Sequence, residues 1–285
     1  MILIGGSTGQ LGKEVIAQLL RRNAKGLFAV LARDPEKAKP YADQGIEVRY
    51  GDYDRPSELG PAFAGIDRFL FISTMSQNRG EQQRHVVDAA RASGVRHVAY
   101  TGLAIRDIAT SGVRELMESH FETEDRIRAS GMRWTFLRNT MYAEAIAQIA
   151  GPKAPAEGVF LPGGTGRVPY ALRREMGEAA ANMLLQEGHE GKTYTLTGPS
   201  SWSYADIVAA LSRRAGRPLV YQDIPEAALA DGLRAAGLPE FVIWLTLGTI
   251  RDIRDGQYDL PSRDLATLLG KEPQSLDEML GAVFA

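Results

Sequence analysis

Cysteine is absent from this chain. That absence removes disulfides, thiolate nucleophiles, iron–sulfur clusters and cysteine-ligated zinc, and it fits a reducing compartment. Any redox chemistry must run on a borrowed electron carrier. Charge of one sign is missing too: 33 Lys and Arg stand against 35 Asp and Glu, a formal net of -2 at pH 7. No global field draws such a chain to nucleic acid or to an anionic membrane. Long apolar runs are also lacking. The most apolar late stretch, residues 241–247, falls far below the roughly 18–20 residues that span a bilayer. The start, Met1-Ile2-Leu3-Ile4, passes straight into glycines without the basic region and apolar core of a secretory signal. The expectation is a cytoplasmic protein with no nucleic-acid partner and no membrane insertion. His85, His97, His120 and His189 are widely spaced, no H-E-x-x-H occurs, and no metal is expected.

What is present is 285 residues of ordinary globular composition, 44% hydrophobic and 24% charged, enough for a large core. Short apolar runs at 2–4, 27–32, 47–50, 68–72, 97–101 and 134–137 alternate with amphipathic stretches such as Leu11, Val15, Ile16, Leu19 and Leu20. This is the rhythm of βα repeats and a parallel sheet. From Gly151-Pro152 the rhythm breaks into turn-rich sequence. The reading is an α/β, Rossmann-type doubly wound parallel sheet over residues 1–150, extended by a strand near 192–197. A smaller, mainly helical C-terminal lobe is expected over 151–285. Residues 241–247, with Trp244, read as helix core or as the lining of an aromatic pocket or subunit contact, with core favoured.

Directly after the first apolar run comes Gly5-Gly6-Ser7-Thr8-Gly9-Gln10-Leu11-Gly12. Gly6, Gly9 and Gly12 have the spacing that lets a strand–helix turn close tightly and bring backbone N–H groups and a helix N-terminus to a pyrophosphate. The same residues satisfy G-x-S-x-G at Gly5, Ser7 and Gly9, the pattern of a hydrolase nucleophile elbow. Against that alternative, Gly12 has no role in an elbow, the strand is the first of the chain, and no glycine-rich oxyanion motif lies nearby. At the end of the second run stands Arg33, where an NAD-preferring fold has a carboxylate for the ribose 2′-hydroxyl. Arginine pairs instead with a 2′-phosphate, which points to NADPH. Asp34 is the competing NAD reader, although Pro35 marks it as a helix cap.

Gly6 to Gly12, Ala32-Arg-Asp-Pro-Glu-Lys-Ala38, Gly51-Asp-Tyr53, Phe71-Ile-Ser-Thr74, Ala99-Tyr-Thr-Gly102, Leu137-Arg-Asn139 with Tyr142, and Gly188-His-Glu-Gly-Lys192 together resemble the NmrA-like group of atypical short-chain dehydrogenases. The likeness is greatest to its bacterial quinone- and triphenylmethane-reducing members, and it covers nearly the whole chain in order. The resemblance implies that Gly6, Ser7, Thr8, Gly9, Gln10 and Leu11 cradle the pyrophosphate and that Arg33 takes the 2′-phosphate. It implies further that Asp52 and Tyr53 lie near the adenine, and that Ser73, Thr74 and Met75 line the path to the nicotinamide. Asn139, Thr140, Met141 and Tyr142 would come beside that ring.

Typical short-chain dehydrogenases carry a Tyr-x-x-x-Lys pair whose tyrosine exchanges a proton with a carbonyl oxygen. Here the aligned residues are His120 and Glu124, four apart and so on one helix face. Without the tyrosine, ordinary alcohol–ketone chemistry is disfavoured, whereas a quinone can take its proton from water. The expectation is an NADPH-dependent oxidoreductase passing hydride directly to an aromatic or quinone-like acceptor. Asn139 and Tyr142 lead the catalytic candidates, and His120, oriented by Glu124, is a further proton donor. An azo or triphenylmethane dye is the alternative substrate and a non-enzymatic NADP(H) redox sensor the alternative function. A homodimer is left open.

Overall fold

The computed structural model describes residues 1–285. The elements run β1 (Ile2–Ile4), α1 (Gln10–Arg21), β2 (Phe28–Ala32), α2 (Pro35–Asp43), β3 (Glu47–Tyr50), α3 (Pro56–Phe63), β4 (Arg68–Ile72), α4 (Arg79–Ala92) and β5 (His97–Leu103). A short α5 (Arg114–Met117) leads to α6 (Ser119–Ala129), β6 (Arg133–Asn139), α7 (Glu144–Ala150), α8 (Ala154–Glu157), β7 (Val159–Phe160), β8 (Arg167–Val168), α9 (Arg173–Leu185) and β9 (Lys192–Leu196). The chain closes with β10 (Trp202–Ser203), α10 (Tyr204–Ala215), β11 (Tyr221–Gln222), α11 (Glu226–Ala235), α12 (Glu240–Arg254), α13 (Asp264–Leu269) and α14 (Leu276–Val283). No helix is long and apolar enough to cross a membrane.

Seven strands form one sheet in the order β3-β2-β1-β4-β5-β6-β9. β1 pairs in parallel with both β2 and β4, β2 with β3, and β4 with β5. The order reverses between β1 and β4, the switch point where doubly wound folds open a crevice at the carboxyl ends of their strands. Every residue of β1 and β2 is buried, which is why these strands are continuous apolar runs rather than alternating ones. The strand expected near 192–197 does return, as edge strand β9.

The chain divides into two units. Unit 1 comprises Met1–Leu103, Glu118–Arg138 and Arg173–Tyr194, and unit 2 comprises Ala104–Met117, Asn139–Leu172 and Thr195–Ala285. Residues 104–117 and 139–150, assigned to the first domain from the sequence, thus group with unit 2, whereas 173–194 group with unit 1. A boundary read along the chain cannot register that α9 lies on α1, so close that a Cβ on Gly177 would sit 2.6 Å from the Glu14 Cβ.

In unit 1 an aromatic column crosses the core. Phe63 meets Phe69 edge-on at 4.9 Å, Phe69 stacks on Phe71 at 5.5 Å, and Phe71 reaches Tyr100 at 5.3 Å. Such pairs add directional preference to apolar burial, and they carry the column from α3 to the middle of β5. Unit 2 is mainly helical, with two small two-stranded sheets, β10–β8 and β11–β7. Its α12 corrects the favoured reading of 241–247. Ile243 is buried, but Phe241, Trp244, Leu245 and Leu247 are only half-buried, because one helix face alone is covered.

Candidate active site

The turn between β1 and α1 is built from glycine for steric reasons. Gly6 has φ +63°, and a Cβ on Gly12 would lie 2.3 Å from the Gly6 carbonyl oxygen. Any side chain at Gly12 would push the helix off the turn. Gly9 is the N-cap of α1 and supplies no side-chain cap, and the first turn carries no acid. The leading N–H groups and the positive end of the helix dipole thus remain for an external anion. Leu11 is buried and fixes the helix start, while Thr8 is half-buried and Gln10 exposed.

Ser7 faces the other way. It is fully buried, its Oγ donates to the Leu31 carbonyl at 2.7 Å, and its own carbonyl accepts from the Tyr41 hydroxyl at 2.8 Å. A nucleophile elbow needs an exposed serine, so the hydrolase alternative fails on geometry. Toward a phosphate Ser7 can offer only backbone.

At the end of β2, Asp34 accepts from the Glu36 and Lys37 N–H groups at 3.0 and 3.4 Å and so caps α2. Its carboxylate is committed to the helix, not to a ribose. Arg33 projects outward with its side chain 67% exposed, Nη1 lying 3.8 Å from Asp52 and 3.9 Å from Asp54. Exposed pairs at that distance are worth under about 1 kcal/mol, so the guanidinium can be redirected to a phosphate at little cost. Tyr53 does not present its hydroxyl at the surface. Its Oη is buried beneath the turn, where a Cβ on Gly5 would lie 2.7 Å away, and its ring sits edge-on to Phe71. Burial pushes the phenol well above its usual pKa. Tyr53 therefore props the glycine turn from below.

Beyond β4, the Ser73 N–H donates to Thr101 Oγ1 at 3.2 Å and Thr74 Oγ1 donates to Gln82 Oε1 at 2.9 Å. Met75 is 56% exposed. The loop is thereby tied to β5 and α4 while its apolar tip stays in solvent.

His120 is buried in a polar cluster that joins α4, β5 and α6. Arg79 Nη2 lies 2.6 Å from His120 Nε2, and His120 Nδ1 lies 2.9 Å from the Tyr100 hydroxyl. A guanidinium only donates, so Nε2 accepts, the ring proton sits on Nδ1, and Tyr100 Oη receives it. Gln83 Nε2 donates to the same phenol oxygen at 2.9 Å, and Thr123 Oγ1 donates to Gln83 Oε1 at 2.8 Å. Burial first, and then the Arg79 charge, hold His120 far below the ordinary histidine pKa. Burial likewise raises Tyr100. At neutral pH His120 is an uncharged imidazole whose single ring proton is engaged by Tyr100.

Glu124 does not orient it. One turn on along α6, Glu124 accepts from Arg138 Nε and Nη2 at 2.9 and 2.6 Å and from Arg128 Nη2 at 3.2 Å. Spacing on one helix is shared by the two residues, but partners are not.

In unit 2, beginning where β6 ends, Asn139 and Thr140 are buried and Met141 and Tyr142 half-buried. Asn139 Nδ2 donates to the Tyr142 hydroxyl at 3.3 Å, whereas Asn139 Oδ1 and Thr140 Oγ1 have no hydrogen-bond partner in the protein. An unmet buried acceptor costs about 1–3 kcal/mol. A carboxamide donor is the chemistry that would relieve it, and the uncapped α1 N-terminus and exposed Arg33 likewise fit the two phosphate-bearing parts of a dinucleotide. Sequence reasoning passed over Arg79, Gln82, Gln83 and Tyr100. A signal was available on α4, where Arg79, Gln82 and Gln83 continue the buried stripe of Val86, Val87 and Ala90, placing polar groups where the period demands apolar ones.

Residues 1–257 match the NmrA-like family. Quinone oxidoreductase 2 of Escherichia coli is 36% identical over 287 residues, spanning 100% of this chain and 99% of the relative. NAD(P)H azoreductase of Xenophilus azovorans is 30% identical over 241 residues, 84% of this chain and 82% of the relative. The crystal structure of the Escherichia coli NADPH-dependent quinone oxidoreductase complexed with NADPH matches with a TM-score of 0.92 at 35% identity over 100% of both chains. Citrobacter sp. triphenylmethane reductase complexed with NADP(H) matches at 0.91 and 34% identity over 99% of both.

Proposed function

The chain belongs to the NmrA-like family, and from that premise we propose that it is an NADPH-dependent reductase passing hydride directly to an electrophilic conjugated acceptor. A quinone is the first such acceptor, with azo and triphenylmethane dyes as the alternative substrates. Its cytoplasmic setting is part of the same reading.

The backbone of residues 6–12 and the uncapped α1 N-terminus hold the pyrophosphate, and Arg33 turns from Asp52 and Asp54 to the 2′-phosphate. Asp52 borders the adenosine half, while Ser73, Thr74 and Met75 border the path to the nicotinamide. Asn139 Oδ1 and Thr140 Oγ1 receive the carboxamide, and Tyr142 holds the Asn139 amide in place. When bound, the dinucleotide supplies the hydride. The protein's part is to fix the donor and acceptor in register.

The observation that carries the acceptor class is the Arg79–His120 contact. A simple ketone accepts hydride well only when its oxygen is protonated or strongly polarised, and the residue at the usual acid's position is here a neutral imidazole locked against a cation. A quinone spreads the incoming electron pair over its ring and collects its proton from water, and a conjugated carbocation needs none. NADPH oxidation measured with quinones, dyes and plain ketones tests this. Quinones or dyes turning over well above background, with ketones inert, is the expected result. Ketone reduction at comparable rates overturns the acceptor class, and tight redox-selective dinucleotide binding without any turnover would instead favour the sensor function.

A further inference from the structure

The adenosine end and the nicotinamide end of the proposed cofactor bed are joined by a chain of side chains on α4. Asp54, whose Oδ2 lies 3.9 Å from Arg33 Nη1, accepts from Gln82 Nε2 with both oxygens at 3.0 Å and from Asn78 Nδ2 at 2.7 Å. These amide hydrogen bonds, Gln82 first, hold its carboxyl below the usual range. The far side of the Gln82 amide accepts from Thr74 Oγ1 at 2.9 Å, and Asn78 Oδ1 accepts from Ser76 Oγ. One turn along α4, His85 Nδ1 meets the Tyr53 carbonyl at 3.0 Å. Gln82 is buried, so solvent competes little for its amide, although the Asp54 carboxylate it meets is 41% exposed. The first two turns of α4 thus grip the loop after β3 with one set of atoms and the loop after β4 with the other.

Resting on the placement of NADPH proposed above, we infer that Asp54 and Gln82 are positioning residues for hydride transfer. The carboxylate beside the phosphate-reading arginine, acting through one buried amide, sets the position of the loop that carries Ser73, Thr74 and Met75. Asp54 does not depend on Arg33 for its place. Its amide donors keep it fixed when Arg33 swings to the phosphate, so the brace persists in the loaded protein. Cutting it leaves the phosphate contacts intact and loosens only the nicotinamide side.

Donor and acceptor roles in this chain can be broken and then restored. Gln82→Leu removes the hydrogen bonds to Asp54 and from Thr74. Gln82→Glu sets a carboxylate against the Asp54 carboxylate. Gln82→Glu with Asp54→Asn reverses the roles: the new Asn donates to the new Glu, still accepts from Asn78, and Thr74 donates to the Glu as before.

The test uses full-length protein, with sites counted by NADPH fluorescence titration. For each variant it compares kcat with a quinone, the deuterium isotope effect from 4-deuterated NADPH, the NADPH Kd, and amide hydrogen exchange of residues 73–78. Gln82→Leu and Gln82→Glu should lose on the order of tenfold in kcat, with a larger isotope effect, faster exchange of 73–78 and an unchanged Kd. The double variant should recover most of the rate and the slow exchange. A Gln82→Leu protein with wild-type kcat and exchange overturns the inference. So does a folded, NADPH-binding double variant as slow and as exchange-prone as Gln82→Glu. If Gln82→Leu does not fold, the other two variants decide between them. Wild-type protein that binds NADPH but reduces no acceptor ends the functional reading instead, and the exchange comparison still decides the brace.

Discussion

Arg33 and Arg79 stand in the same unit, each at the edge of an element, and meet opposite surroundings. Arg33 is two-thirds exposed beside carboxylates nearly 4 Å away, and solvent screens what those pairs are worth. Arg79 is 1% exposed and donates to a neutral imidazole at 2.6 Å. The first can change partners for a ligand, while the second cannot move without stranding buried polar groups. On the proposed reading the first charge meets a cofactor phosphate, while the second adds to the burial that keeps a histidine neutral.

That contrast can be broken at several points, of which Arg79→Met has the largest expected effect. It should cost roughly 2–4 kcal/mol, because His120 Nε2 is left buried and unmet and the α4–α6 contact loses its centre. Urea unfolding measures this, and a wild-type midpoint would mean that the cluster is incidental.

Next comes His97, buried against Thr135 Oγ1 at 2.9 Å and pulled down to about 4, mainly by burial. The unfolded chain takes up this proton near pH 6.5 and the folded chain only near 4. Stability from this group is therefore complete above about pH 6.5 and declines as pH falls, by roughly 3 kcal/mol at pH 4. His97→Gln retains a donor for Thr135 and should flatten that part of the profile. An unchanged acid slope would assign it to other groups.

Arg33→Ala follows, with NADPH binding weakened about 10- to 100-fold by loss of a charged phosphate contact and NADH binding unaltered. Isothermal titration with both dinucleotides checks it. Equal effects on the two would erase the distinction between the arginines.

Much of this was legible along the chain. Residues 2–4 and 68–72 are strands as their apolar runs predict, because strands buried on both faces need no partner information to be recognised. The glycine turn was legible for a related reason: its requirement is local and steric. Ser7 was legible as a residue of the turn and Tyr53 as one expected near the adenine, but not in their direction, since their hydroxyls face Leu31 and Gly5 from within the core. His120 and Glu124 show the limit most clearly. Four residues apart on one helix, they share a face in projection, yet Arg79 from α4 takes one and Arg138 from β6 takes the other. Partners drawn from positions 41 and 14 residues away in sequence leave no periodic trace. The grouping of α9 with unit 1 was hidden for the same reason.

The proposed reaction is direct hydride transfer from NADPH to an acceptor that needs no acid from the protein. The most direct measurement is kcat for NADPH-dependent quinone reduction across about pH 6–8, the range in which an ordinary histidine titrates. Turnover well above the uncatalysed rate and a flat profile are expected, because His120 stays neutral throughout. A profile that falls as a single group loses its proton in that range, and becomes flat in His120→Gln, would contradict it.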